Sequence, residues 1–209
     1  MLLDIIFILL IIILTPLLIT AIILHWYVNL NYRFEVITKG KFFRSGLIKS
    51  TKLEKYLLKH KIQTVITLLD PGLQTKDNPE QTRDINNEEI KIKEINEKNN
   101  LNINYINIPS DQVPTKKSLT KYFEILDDPK YYPILVHCYH GRGRAAIYTA
   151  LYRIEKEEWE NEAARNKTRA IVKFLNYKSS FADGKEKGDF LMNYKPRRLG
   201  NEATINNIK

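Results

Sequence analysis

Ile134-Leu135-Val136-His137-Cys138-Tyr139-His140-Gly141-Arg142-Gly143-Arg144, followed by Ala145-Ala146-Ile147, is the stretch that decides the fold and its chemistry. The apolar run after Pro133 reads as a short buried strand. Gly141 and Gly143 allow a tight turn with positive φ. From Ala145 onward the sequence reads as helix. A loop closing into a helix N-terminus points several backbone N–H groups at one spot and adds the positive end of the helix dipole. The result is a nest for an oxyanion. Arg144 offers a planar fork to two phosphate oxygens. Cys138, the single cysteine, sits at the floor of the loop. An electropositive loop of this kind favours a thiolate over a thiol. A thiolate beneath a bound phosphate is arranged for in-line attack on phosphorus. The plainer alternative is a small apolar residue buried in a strand-to-helix turn. The apolar strand, His137, the two glycines and the helix together weigh against it.

Outward from the loop, apolar runs alternate with amphipathic ones. Strands are expected at Phe34–Ile37, Phe42–Arg44, Gln63–Leu69, Asn102–Ile108 and Pro133–Cys138. A helix capped by Ser50 or Thr51 should run to about His60, with Leu53, Tyr56, Leu57 and Leu58 inward. Further helices are expected at Glu88–Asn99 (Ile90, Ile92 and Ile95 inward), Ser118–Asp127 and Arg144–Glu155. A last helix is expected at Trp159–Tyr177, with Trp159, Ala163, Ile171, Val172 and Leu175 inward. Gln74–Arg83 reads as a polar loop. This alternation implies an α/β domain with a mostly parallel central sheet flanked by helices on both faces. Ligands of such sheets bind outside the carboxyl ends of the strands. Asp70, Ser110-Asp111 and Cys138 all follow such ends and can share one rim.

At 209 residues the chain has room for one domain and an appendage. A net charge of +9 suits an anionic membrane surface, a phosphorylated ligand or nucleic acid. The basic residues are scattered, which ranks nucleic acid last. One cysteine excludes an intrachain disulfide and leaves no resolving thiol for a redox relay. No residues have metal-ligand spacing, and the chemistry needs neither a metal nor another cofactor.

Ile5 to Val28 is apolar apart from Thr15, Pro16, Thr20 and His25. That is long enough to cross a bilayer, which takes about 20 residues. Trp26 and Tyr27 stand where interfacial aromatics belong, and Arg33, Lys39, Lys41 and Arg44 follow. The excess of positive charge after the span places the C-terminal side in the cytoplasm. A cleaved signal peptide is the rival reading. It lacks a basic n-region and a small-residue cleavage site, and its apolar run is too long. The chain therefore divides into a membrane anchor at 1–30, a domain at 31–180 and a basic tail at 181–209, with weak order expected at the tail's end.

His137-Cys138, five residues and then Arg144 resembles the signature of the cysteine-dependent tyrosine and dual-specificity phosphatases. Phe43-Arg44-Ser45-Gly46, Ile62–Leu68 and Tyr105–Pro109 are similar to segments of the compact dual-specificity domains, so the likeness covers roughly residues 40 to 175. The resemblance implies that Cys138 forms a phosphocysteine, that Arg144 holds the phosphate and that His137 supports the thiolate. The amides from Tyr139 through His140, Gly141, Arg142 and Gly143 to Arg144 would bind the phosphoryl oxygens. An upstream aspartate would act as general acid. Asp111, in a loop with Pro109 and Pro114, resembles the acid loop. Its plainer reading is an Asx turn or a helix cap. Asp70 is the runner-up, followed by Asp127 and Asp128. The family usually has Ser or Thr after the signature arginine, and here stands Ala145.

His140 and Arg142 should face outward and make the mouth cationic, or remain merely solvated. Arg44 could line the pocket, but a surface carboxylate is its expected partner. The expected function is a membrane-anchored phosphatase acting on phosphorylated proteins. A phospholipid or phosphoinositide substrate is one alternative. The other is a phosphate-binding pseudoenzyme that docks phosphorylated partners.

Overall fold

The computed structural model describes residues 2–72, 81–168 and 179–199. Helix α1 (Leu2–His25) continues through a π-helical turn at Trp26–Leu30. Asp4–Leu30 has a mean hydropathy of 3.1 in its most apolar window, long and apolar enough to cross a membrane. Its side chains from Ile5 to Leu24 are exposed rather than packed on the domain. Thr20 donates back to the carbonyl of Pro16 at 2.7 Å within this helix.

Five short strands follow: β1 (Glu35–Thr38), β2 (Phe42–Ser45), β3 (Thr64–Thr67), β4 (Asn104–Asn107) and β5 (Ile134–His137). They form one sheet in the order β1-β2-β5-β3-β4. Only β1 and β2 pair antiparallel; the other neighbours are parallel. The two central strands β3 and β5 are buried at every position, as parallel strands covered on both faces must be. Arg44 pairs with Glu35, its register partner across β1 and β2, rather than lining the site.

Helices cover both faces. On one lie α2 (Ser50–His60) and α3 (Gln81–Asn99), whose Leu53, Leu57, Ile92 and Ile95 pack on Phe43, Val65 and Leu135. On the other lie α4 (Lys116–Asp127), α5 (Arg144–Lys156), α6 (Asn161–Thr168) and α7 (Glu186–Asn193). Leu119, Tyr122, Phe123, Ile147, Tyr148 and Leu151 join Ile66, Ile134 and Val136 there. Helix α5 is buried from Arg144 through Ile154, which places its N-terminus at the centre of the sheet's carboxyl edge.

Several sequence expectations change. The cap of α2 is Lys49, without a side-chain bond, not Ser50 or Thr51. Leu58 and Ile90 are exposed. In α3 the inward stripe is Gln81, Ile85, Glu88, Ile92 and Ile95, which turns Ile90 to solvent. This helix starts inside the expected polar loop; residues 74–80 of that loop lie outside the described residues. The expected helix Trp159–Tyr177 begins at Asn161, because Glu158 takes a left-handed φ of 57°. Trp159 instead lies against the Arg153 guanidinium, 5.1 Å from ring to carbon. Ala164 is buried and Ala163 exposed, one position off the expectation. Ile171, Val172 and Leu175 lie outside the described residues. Phe181, Leu191 and Tyr194 belong to the core, so the folded unit continues past residue 180.

Candidate active site

Cys138 follows the last residue of β5 and is 3% exposed. The backbone N–H of Gly141 donates to its Sγ at 3.3 Å. Gly141 has φ +71°, and a Cβ there would lie 2.6 Å from the Gly46 nitrogen. Only glycine lets the loop close this tightly on the end of β2. The Leu47 N–H donates to the Tyr139 carbonyl at 3.0 Å and fixes the start of the loop. Gly143 caps α5, taking bonds from the Ala146 and Ile147 N–H groups.

Arg144 opens α5 and is 6% exposed. Its Nη1 donates to the Leu68 carbonyl at 2.6 Å, Gln81 Oε1 at 3.3 Å and the Ser110 carbonyl at 3.4 Å. These groups follow β3, open α3 and follow β4, so one arm of the guanidinium joins three segments of the rim. Such bracing fixes the fork before any anion arrives.

His137 is buried and lies in register between Ser45 of β2 and Thr67 of β3. Its Nε2 stands 2.9 Å from Glu88 Oε2, although the ring N–H is poorly aligned for a hydrogen bond. The Tyr105 hydroxyl also donates to Glu88, at 3.2 Å. Burial, reinforced by the Glu88 charge, pushes the Tyr105 phenol well up and keeps it a donor. Sequence reasoning missed Glu88. The available signal was its place on the inward stripe of α3, where a carboxylate needs a partner.

Asp111 is exposed on the loop after β4. That loop is fixed at Ser110, whose hydroxyl lies 2.9 Å from the Tyr148 hydroxyl of α5 and whose carbonyl meets Arg144. The rim therefore brings together the loops of Cys138, Arg144 and Asp111. Asp70 instead accepts from Gly72 N–H at 2.9 Å in an Asx turn. Asp127 and Asp128 sit at the end of α4, which leads to the opposite edge of the sheet, and pair with Lys156, Arg197 and Lys130.

His140 and Arg142 are exposed, as outward-facing loop residues should be, and Tyr139 is half-buried. Two cations enter from elsewhere. Arg33, just after the π-turn, donates from Nη1 to the His140 carbonyl at 2.7 Å. Burial and then Arg142 push its guanidinium down, while Cys138 acts in the other direction. Lys187 of α7 reaches Gln112 Oε1 in the loop after β4. Neither was legible in the sequence, because both contacts join distant segments. Among the described residues no group of three His, Cys, Asp or Glu is placed to hold a metal ion.

A family model described as "DSP-PTPase phosphatase fused to NAD+ kinase" matches residues 36–183. The chain belongs to this family. The matched span holds the whole loop from Cys138 to Arg144 and all three segments that brace Arg144. The fold is that of the cysteine-dependent dual-specificity phosphatases, as the signature implied. The core catalytic domain of the PP-IP phosphatase SIW14 of S. cerevisiae, in complex with citrate, is 18% identical, covering 83% of this chain and 92% of that one with a TM-score of 0.54. TpbA of P. aeruginosa, a cysteine-to-serine variant in complex with pTyr, is 15% identical over 82% and 92% of the two chains, with a TM-score of 0.48. No curated protein matches the sequence.

Proposed function

We propose that the chain is a membrane-anchored phosphatase that hydrolyses phosphomonoesters of proteins through a phosphocysteine at Cys138. The observation that carries this is the closed loop: a buried sulfur beneath the Gly141 N–H, at the N-terminus of α5, with Arg144 braced beside it. In the first step the Cys138 thiolate attacks phosphorus. The S–P bond forms, the P–O bond to the substrate breaks, and Asp111 gives its proton to the leaving oxygen. In the second, water attacks the phosphocysteine, Asp111 takes a proton from it, and the thiolate departs. The loop amides and Arg144 hold the phosphoryl oxygens in both. His137, backed by Glu88, supports the loop from behind.

A phosphorylated lipid is the second reading. It is favoured by the Arg33 bond to the loop, which keeps the site close to the exit of the apolar helix. The anchor places the domain on the cytoplasmic side by its flanking charges. The test is Cys138→Ser in detergent, assayed with an aryl phosphate, phosphotyrosine peptides and phosphorylated lipids. Hydrolysis should vanish while vanadate still binds. Activity that survives the substitution would overturn the mechanism. The preferred wild-type substrate distinguishes protein from lipid.

A further inference from the structure

Lys187 is 9% exposed, unusually buried for a lysine. Its ammonium contacts Gln112 Oε1 and lies 5.6 Å from the Phe181 ring. A Cβ built on Gly143 would stand 3.2 Å from Lys187 Nζ and 3.3 Å from Gln112 Oε1. Lys187 and Gln112 therefore roof the end of the phosphate loop next to Arg144. The placement is built into the packing. A Cβ on Gly188 would meet the Ala182 carbonyl oxygen at 2.2 Å, so the first turn of α7 presses on the Phe181-Ala182 turn. Leu191 of the same helix is fully buried.

Among the described residues no carboxylate forms an ion pair with this ammonium; Glu186 acts on it only through space. Burial pushes it below the ordinary lysine range, Cys138 acts upward, and Arg144 acts downward. A buried charge facing a neutral amide is costly unless an anion completes it. The loop amides and Arg144 already surround the reacting phosphoryl group. Gln112 directly follows Asp111, so Lys187 stands on the side from which the leaving group departs.

We propose that Lys187 and Gln112 form a second anion subsite, which binds a phosphate carried by the leaving group. The inference rests on the phosphatase reading of Cys138. It names the substrate class as compounds with two neighbouring phosphates, joined as an anhydride or as adjacent esters. As the Cys138 S–P bond forms and the P–O bond breaks, Asp111 protonates the leaving oxygen, that of the anhydride or of the ester, and Lys187 balances the charge of the phosphate that the leaving group carries.

The test measures binding to the full chain in detergent, with Cys138→Ser present to prevent turnover. Probes are inorganic phosphate, inorganic pyrophosphate and inositol 4,5-bisphosphate. Lys187→Met should weaken one of the two-phosphate probes at least tenfold more than inorganic phosphate, and Lys187→Arg should restore much of that preference. Dependence on pyrophosphate assigns an anhydride, and dependence on the inositol bisphosphate assigns adjacent esters. Equal weakening of all three probes, or of none, overturns the subsite. If Lys187→Met binds nothing, Lys187→Arg decides: a protein that binds inorganic phosphate without the two-phosphate preference also overturns it. Failure of the phosphatase reading shows separately, as wild-type protein that hydrolyses neither an aryl phosphate nor either two-phosphate compound.

Discussion

Ala145 is fully buried directly after Arg144 and offers no hydroxyl to the departing sulfur of Cys138. In the first step of the proposed mechanism the leaving group is the substrate's oxygen, with Asp111 as its proton donor. In the second it is the thiolate itself. Hydrogen bonds to charged groups are worth roughly 1.5–3 kcal/mol, or roughly ten- to a hundredfold in rate. Phosphocysteine should therefore accumulate, and rapid mixing should show a burst followed by slow turnover. Ala145→Ser should raise the steady-state rate several-fold and shrink the burst; no change in either would mean that another group already meets the sulfur. Arg144 carries a different demand. Lysine keeps its charge but cannot reach the Leu68, Gln81 and Ser110 oxygens while presenting a fork to phosphate. Arg144→Lys should lower kcat/KM more than tenfold, about 1.4 kcal/mol. An effect within twofold would remove the arginine from the phosphate site.

Elements meet at the loop through backbone, and Gly141 shows how tightly. Alanine there would combine φ +71° with a contact of 2.6 Å to the Gly46 nitrogen. Gly40 also has a positive φ, +69°, but nothing lies within 4 Å of the place a Cβ would occupy. Gly40→Ala should cost only the left-handed backbone penalty, roughly 1–2 kcal/mol, and leave phosphate affinity intact. Gly141→Ala should cost more and also weaken phosphate binding, because the loop must separate from β2. Urea unfolding and phosphate titration of the two variants check this, and equal behaviour would contradict the packing account. The same contrast explains what the sequence made legible. The β5–loop–α5 unit is local: an apolar run, two glycines and an arginine within a few residues. Strand β5 is apolar up to His137, and β3 has Val65-Ile66 at its centre with Leu68-Leu69 directly after it. Arg33 meets the loop across 107 positions and Lys187 meets Gln112 across 75, so spacing carried no trace of either contact. Glu88 hides for another reason: a helix phased on Ile90 turns it away from the core, whereas the inward stripe includes it.

Over the whole molecule, both ends of the described chain tie back to the domain. At the C-terminal side, Arg197 bonds Asp127 and Glu155 and lies 4.2 Å over the Phe123 ring. The Arg197 bonds, helped by Lys156 and opposed by burial, lower the Asp127 carboxyl to about 2. A depressed carboxylate stabilises above its ordinary pKa, about 3.9, and the contribution is lost as pH falls through about 2. Asp127→Asn should cost about 1 kcal/mol near pH 6, discounted because the group is half exposed. The gap to wild type should close below about pH 4; a gap independent of pH would exclude the ion pair as its source. At the N-terminal side the apolar helix ends three residues before Arg33, and the Gly46 N–H donates to the Tyr32 carbonyl at 2.7 Å. A cavity of about 590 Å³ lies between this exit and the domain, lined by Asn29, Tyr32, Leu47, Lys49, Glu88 and Tyr139 among others. Neither Cys138 nor Arg144 lines it, so it is a seam between the end of the apolar helix and the loop rather than the reaction site. Arg33, Lys39, Lys41 and Arg44 follow the apolar helix, and no Lys or Arg precedes it. A reporter fused after Lys209 should therefore be cytoplasmic, and the protein should resist carbonate extraction. A shortened, soluble, exported form would overturn the anchor. Removing the brace without removing the helix isolates the coupling between them. Arg33→Ala should leave membrane retention unchanged and lower kcat/KM for a soluble aryl phosphate about fivefold, the equivalent of one partly exposed charged hydrogen bond worth about 1 kcal/mol. If turnover is unaffected, the His140 carbonyl does not need Arg33 to hold the loop, and the anchor serves only to place the domain.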